Sequence, residues 1–152
     1  MKKQLIVMCG VPASGKSTVS SSLQEKTGYK LISRDKVREE LGEFNYNKEG
    51  HAKVREAFHD KIRGALFNGE SVIADATHLT KHSRASLIEI AKEFDCDCTA
   101  VCFDVDWETL NERNSKRTGK EKVPNEVLHN MYLDYQLPSD SEGFKKVHTI
   151  KL

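Results

Sequence analysis

The sequence holds no apolar run near the ~20 residues that cross a bilayer, and its first residues lack the apolar core of a secretion signal. The expected compartment is therefore the cytoplasm, with no membrane partner. An excess of one charge is also missing: 24 Lys and Arg stand against 23 Asp and Glu, a net charge of +1. That balance admits a nucleic acid or a small molecule, but it excludes a basic coat, so any anion site is local. Cysteine is sparse. Cys9, Cys96, Cys98 and Cys102 form no C-x₂-C pair, which argues against zinc. Disulfides do not suit the compartment. The four are expected as buried thiols, the last three on one face of a strand. No repeat, low-complexity tract or linker divides the 152 residues, so a single domain over 1–152 is expected.

What is present is organised around Gly10-Val11-Pro12-Ala13-Ser14-Gly15-Lys16-Ser17-Thr18. An apolar run, Leu5 to Cys9, precedes it as a buried strand, and a helix-compatible segment follows. In that context G-x-x-x-x-G-K-[ST] reads as a phosphate-binding loop. Gly10 and Gly15 let the backbone curl so that the N–H groups around Ala13 and Ser14 face inward. The first turn of the helix, Lys16 to Thr18, adds unpaired N–H groups and the positive end of its dipole. Lys16 brings charge to the β- and γ-phosphates of ATP, and the Ser17 hydroxyl is the expected ligand of Mg²⁺.

The rest of the chain alternates. Strands are expected over Lys3–Cys9, Tyr29–Ser33, Ser71–Ala74, Thr99–Phe103 and Lys146–Lys151. Helices are expected over Lys16–Lys26, from Arg34 to about Leu41, Lys48–Asn68, Lys81–Phe94 after a Thr80 cap, from Asp106 through Arg117, and Asn125–Tyr135. Gly42 to Gly50 reads as a polar surface loop carrying Phe44 and Tyr46, and Thr118 to Lys122 as a mobile basic turn. Such alternation predicts an α/β fold: a mostly parallel sheet with helices on both faces.

Ligands of such sheets sit at the carboxyl ends of the strands, and that rule collects the candidates. Asp35 and Arg38 share a helix face after the second strand. They suit a general base and an anion grip, or an ordinary helix-start carboxylate in a surface ion pair. Asp75, with Thr77, follows the third strand; it matches a metal-holding carboxylate weakly and a turn-forming Asp equally well. Arg113 and Arg117 fall on one face of the helix after the fourth strand, as a lid over the triphosphate or as a solvated helix end. His78 and His82 lack a third ligand and read as surface histidines.

Together these residues resemble the 5′-hydroxyl polynucleotide kinase domain of bacteriophage polynucleotide kinase. The similarity runs from Lys2 to Tyr132. It rests on the phosphate loop, Arg34-Asp35-x-x-Arg38, the strand ending Asp75-Ala76-Thr77, Phe103-Asp104-Val105-x-Trp107, Arg113-Asn114-Ser115-Lys116-Arg117, Val123-Pro124 and Met131-Tyr132. The resemblance implies an adenylate-kinase-like P-loop NTPase fold with a short helical lid. It implies ATP and Mg²⁺ as cofactors and a DNA or RNA 5′-hydroxyl end as substrate. By that resemblance Asp35 is the base, Lys16 and Ser17 bind triphosphate and metal, Arg38 holds an acceptor phosphate with Asp75 and Thr77 nearby, and Arg113 and Arg117 form the lid, Arg117 meeting the transition state. Two features depart from the pattern. Ala76 stands where an acidic residue adjoins the threonine, and no phosphatase domain follows, so no 3′-phosphatase activity is expected. The phage enzyme is an oligomer, and that state stays open for this chain. A small-molecule kinase and a non-catalytic ATP-binding partner module are the alternatives.

Overall fold

A computed structural model describes residues 2–151. Its strands are β1 (Gln4–Cys9), β2 (Lys30–Ser33), β3 (Val72–Asp75), β4 (Asp97–Asp104) and β5 (Lys146–Lys151). Its helices are α1 (Lys16–Thr27), α2 (Arg34–Leu41), α3 (Lys48–Phe67), α4 (Lys81–Glu93), α5 (Trp107–Ser115) and α6 (Asn125–Asp134). Strand β1 is apolar on both sides because both sides are covered. Leu5, Val7 and Cys9 enter one core cluster, while Met8 enters the other with Ile6 packed against it. A strand buried on two faces belongs inside a parallel sheet. Here β1 is the central strand of five, in the order β2-β3-β1-β4-β5, and every pairing is parallel.

The helices divide by their apolar stripes. Val54, Phe58, Ile62 and Leu66 of α3 join Leu87, Ile88 and Ala91 of α4 on one face. Leu110 of α5 and Leu128 of α6 lie on the other, with Val19 and Leu23 of α1 packed against them. The α/β class, the P-loop kinase-type sheet and the two helical layers are as the sequence predicts. Because α1 follows β1 onto one face and α4 follows β3 onto the opposite face, a crevice opens between the carboxyl ends of these neighbours. Register brings Ser33, Asp75 and Met8 level at that edge.

Two boundaries differ from expectation by two residues, the others by no more than one. Strand β4 begins at Asp97, opposite Gln4, rather than at Thr99. Helix α5 stops at Ser115, short of Arg117. There the N–H groups of Lys116 and Arg117 turn to the carbonyls of Arg113 and Asn114, tightening the last turn. The Asn114 side chain explains the stop: its Nδ2 donates to the Val123 carbonyl at 2.7 Å, and its Oδ1 accepts from the Val123 N–H at 3.0 Å. This staple closes the lid segment 116–122 into a loop. The cysteines are all free: Cys9, Cys98 and Cys102 are buried, Cys96 is half-buried, and all four belong to or pack on the same core face. Among the described residues no helix is long and apolar enough to cross a membrane.

Candidate phosphate-transfer site

The loop after β1 is shaped as an anion cradle. A Cβ on Gly10 would lie 2.9 Å from Ser14 Oγ and 3.1 Å from Phe103 Cβ, so only glycine lets the turn close. Ala13 (φ 70°) and Gly15 (φ 100°) both adopt the left-handed region. Alternation of such residues aims successive N–H groups at one point. Gly15 is also the N-cap of α1 and offers no side-chain acceptor, so the first-turn N–H groups stay available for a ligand. Ser14 Oγ is buried and has no hydrogen-bond partner among the described residues. An orphaned buried hydroxyl in a concave run of N–H groups fits a phosphate oxygen.

Lys16 is half-buried, and its Nζ donates to the Val11 carbonyl at 3.1 Å. Burial pushes its ammonium below the ordinary lysine value, against the pull of Asp75 and Asp35. Asp75 is half-buried as well; burial raises its carboxyl, Lys16 lowers it, and Asp35 raises it again. One ammonium thus feels two carboxylates, and one of these, Asp35, is exposed on the first turn of α2. Ser17 and Thr18 are exposed at the start of α1. Thr77 enters through its backbone, since its carbonyl accepts the Gly10 N–H at 2.9 Å.

Arg113 and Arg117 come together although only the first is helical. Both line a cavity of about 500 Å³ with Ala13, Ser14, Gly15, Thr18, Val19, Phe103 and Ile150. Arg113 Nη1 donates to the Ala13 carbonyl at 3.4 Å, and Arg117 Nη1 to the Glu121 carbonyl at 3.3 Å. Arg38 lies apart from this cavity. It is 92% buried in effect, with 8% exposure, and faces α3. Its guanidinium donates to the Glu43 carbonyl at 3.2 Å and to His51 Nδ1 at 2.8 Å.

Sequence reasoning missed the scaffold behind the loop. His78 is not a surface histidine: it is buried, with Nδ1–H donating to the Met8 carbonyl at 2.7 Å and its ring 5.9 Å from Phe58. Arg84, fully buried on α4, donates to the His78 carbonyl at 2.8 Å and forms a two-bond pair with Glu142 at 2.8 and 3.0 Å. Tyr135 Oη donates to the Cys9 carbonyl at 3.1 Å. Thus the last two carbonyls of β1 are tied down immediately before the cradle begins. A basic residue on the apolar side of α4 was the readable signal for Arg84; nothing local marked His78.

Burial holds His78 down to about 4, although its bond to Met8 opposes the shift. Between that value and the ordinary histidine value near 6.5, the unfolded chain binds a proton that the folded chain refuses. Stability is therefore full above about pH 6.5 and falls by about 3 kcal/mol as pH drops to 4. Urea denaturation of wild type and His78→Gln across this range checks the value: the variant should lose that part of the pH slope.

The comparisons place this geometry. The L-seryl-tRNA(Sec) kinase of Methanococcus maripaludis is 34% identical over 140 residues, covering 88% of this chain and 53% of that protein. The bifunctional polynucleotide phosphatase/kinase of Schizosaccharomyces pombe is 25% identical over 151 residues, covering 97% of this chain and 33% of that protein. The chain therefore spans about half, or a third, of the length of these curated relatives. A sugar kinase from Janibacter sp. HTCC2649 superposes with a TM-score of 0.75 at 18% identity, covering 99% of this chain and 86% of that one, which supports the fold alone. The family model described as "AAA domain" (AAA_33) matches residues 5–138, so the chain belongs to that family, with the fold of the P-loop kinases.

Proposed function

We propose that the protein is an ATP-dependent kinase that transfers the γ-phosphoryl group to the 5′-hydroxyl end of a DNA or RNA strand. The observation that carries the reading is that Lys16, in the cradle, feels two carboxylates, Asp75 at the end of β3 and the exposed Asp35 at the start of α2. The cradle binds the triphosphate through its N–H groups, Ser14 and Lys16. The cavity lined by Val19, Phe103, Arg113 and Arg117 receives the nucleoside. Ser17, exposed beside the cradle, is the residue that would hold Mg²⁺, with Asp75 next to it in the crevice. When bound, the ion neutralises charge on the phosphates. Asp35 accepts the proton of the acceptor hydroxyl as its oxygen bonds to the γ-phosphorus and the bond to the β-phosphate oxygen breaks, releasing ADP. Arg117 supports the charge on the group in flight. Arg38 grips the acceptor's nearest phosphate. Work in the cytoplasm, as one domain, suits this reading.

The 34% identity to a kinase named for seryl-tRNA favours a second reading, in which the hydroxyl is carried on the aminoacyl end of a tRNA. A labelled-ATP transfer assay separates the readings. A 5′-hydroxyl oligonucleotide should accept label, while seryl-tRNA, nucleosides and sugars should not. Label on seryl-tRNA alone moves the acceptor to the second reading. Label on a nucleoside or sugar alone makes the protein a small-molecule kinase, and ATP binding without transfer makes it a binding module.

A further inference from the structure

Beyond Arg38, the packed pair α2 and α3 gathers cations that the phosphate loop does not use. Arg34 and Arg38 are four residues apart on α2; His51, Arg55 and His59 recur every four residues on α3. Each series forms a stripe along its helix, and the two helices pack together. Among the described residues, no carboxylate lies within 4.0 Å of the Arg34, Arg38 or Arg55 guanidinium. The ion pairs of α2 and α3 belong instead to Glu39 with Lys120, Glu40 with Lys61, Lys53 with Glu43, and Arg63 with Asp60 and Glu93. Arg34 is half-buried, and burial together with Arg38 and Arg55 disfavours its charge, against the pull of neighbouring Asp35. His51 and His59 are pushed below the ordinary histidine value, first by burial and then by nearby arginines.

Arg55 is exposed and Arg34 half-buried, and the carboxylate acting on Arg34 is its exposed neighbour Asp35, so an anion settling between the two arginines meets guanidinium groups that hold no ion pair within 4.0 Å among the described residues. Arg38 can only donate, so His51 Nδ1 accepts and its remaining ring proton sits on Nε2 as another donor. The loop between α2 and α3 carries exposed aromatics. Tyr46 is 75% and Phe44 67% exposed. Tyr46 is fixed from one side by the Arg38 guanidinium, 4.4 Å from its ring centroid, and touches His51 edge-on. A basic surface beside an exposed aromatic ring is the chemistry that holds a single nucleic-acid strand.

We propose that this α2–α3 surface is a second anion site, made by Arg34, Arg55 and His59, that takes a phosphodiester of the acceptor strand next to the one at Arg38, while Tyr46 stacks on a base. It rests on the kinase reading above and extends it. The acceptor is then a single-stranded end of several nucleotides, and the site measures length rather than sequence.

The test uses a dye-labelled 5′-hydroxyl decanucleotide, with binding read by anisotropy and no ATP present. Arg55→Glu should weaken binding by about tenfold or more, and Arg55→Ala should reduce the slope of log affinity against log salt by about 0.7. Both variants should bind a fluorescent ATP analogue as wild type does, which reports an intact fold and cradle. Oligonucleotide binding that is unchanged in Arg55→Glu, or absent in wild type, overturns the site. Loss of both ligands in Arg55→Glu makes Arg55 a folding residue and overturns the site unless Arg55→Ala shows the selective loss. Binding that behaves as expected without any transfer to the 5′-hydroxyl retains the site and overturns the kinase reading instead.

Discussion

Asp35→Ala is expected to lower phosphoryl transfer by about 10²–10⁴-fold while ATP binding stays near wild type. The carboxylate is exposed at the start of α2, and the described residues give it no ion pair or side-chain hydrogen bond. Its removal therefore costs little in folding, within about 0.5 kcal/mol. What disappears is the acceptor for the hydroxyl proton. Asp35→Asn keeps the shape and should be nearly as impaired, which separates proton acceptance from packing. Single-turnover transfer and titration with a fluorescent ATP analogue measure the two quantities independently. A near wild-type rate in either variant would move the base to Asp75, the other carboxylate that Lys16 feels.

The second large effect concerns folding. Glu142→Gln should destabilise the protein by about 3–5 kcal/mol, because it leaves the Arg84 guanidinium buried without its counter-charge. Arg84 is fully buried and the Glu142 side chain is 6% exposed, so water cannot substitute. For a chain of this size that is a fall in Tm of roughly 10 °C. The double variant Arg84→Met, Glu142→Leu should be milder than Glu142→Gln alone, since it removes both charges. Thermal unfolding of the three proteins tests this, and equal losses would show that packing rather than charge dominates. The damage should also reach the cradle, because Arg84 holds the His78 carbonyl and His78 holds Met8, two residues before Gly10.

The parts that were readable in advance share one property: their signal is local. The apolar run of Leu5 to Cys9, the glycines of the loop and the spacing of Val54, Phe58 and Ile62 each declare an element within a few residues. Thr80 and Asp106 cap α4 and α5 as their residue types suggest. What stayed hidden is made between distant segments. Arg84 and Glu142 are 58 residues apart, and neither has a periodic partner that would announce a buried pair. His78 reads as polar, yet the turn after β3 carries it under the sheet edge against Met8, 70 residues earlier. The end of α5 depends on Asn114 meeting Val123, and a helix-compatible sequence continues past that point. Of the α2–α3 stripe only Arg34 and Arg38 were singled out in the sequence, because the approach of His51 to Arg38 is made by the packed helices.

The central position of β1 also governs when the molecule can assemble. Its two neighbours in the sheet are β3 and β4, which begin at Val72 and Asp97. Contacts between such distant segments form slowly, because the chain between them must first be ordered. On the ribosome, β1, made before the other strands of the sheet, therefore has no flank until β3 is complete at Asp75 and lacks its second flank until β4 ends at Asp104. The nucleotide cradle, translated directly after β1, is among the last parts of the site to take shape. During that interval an apolar edge lies open, and nascent chains that stall there are the ones prone to aggregate.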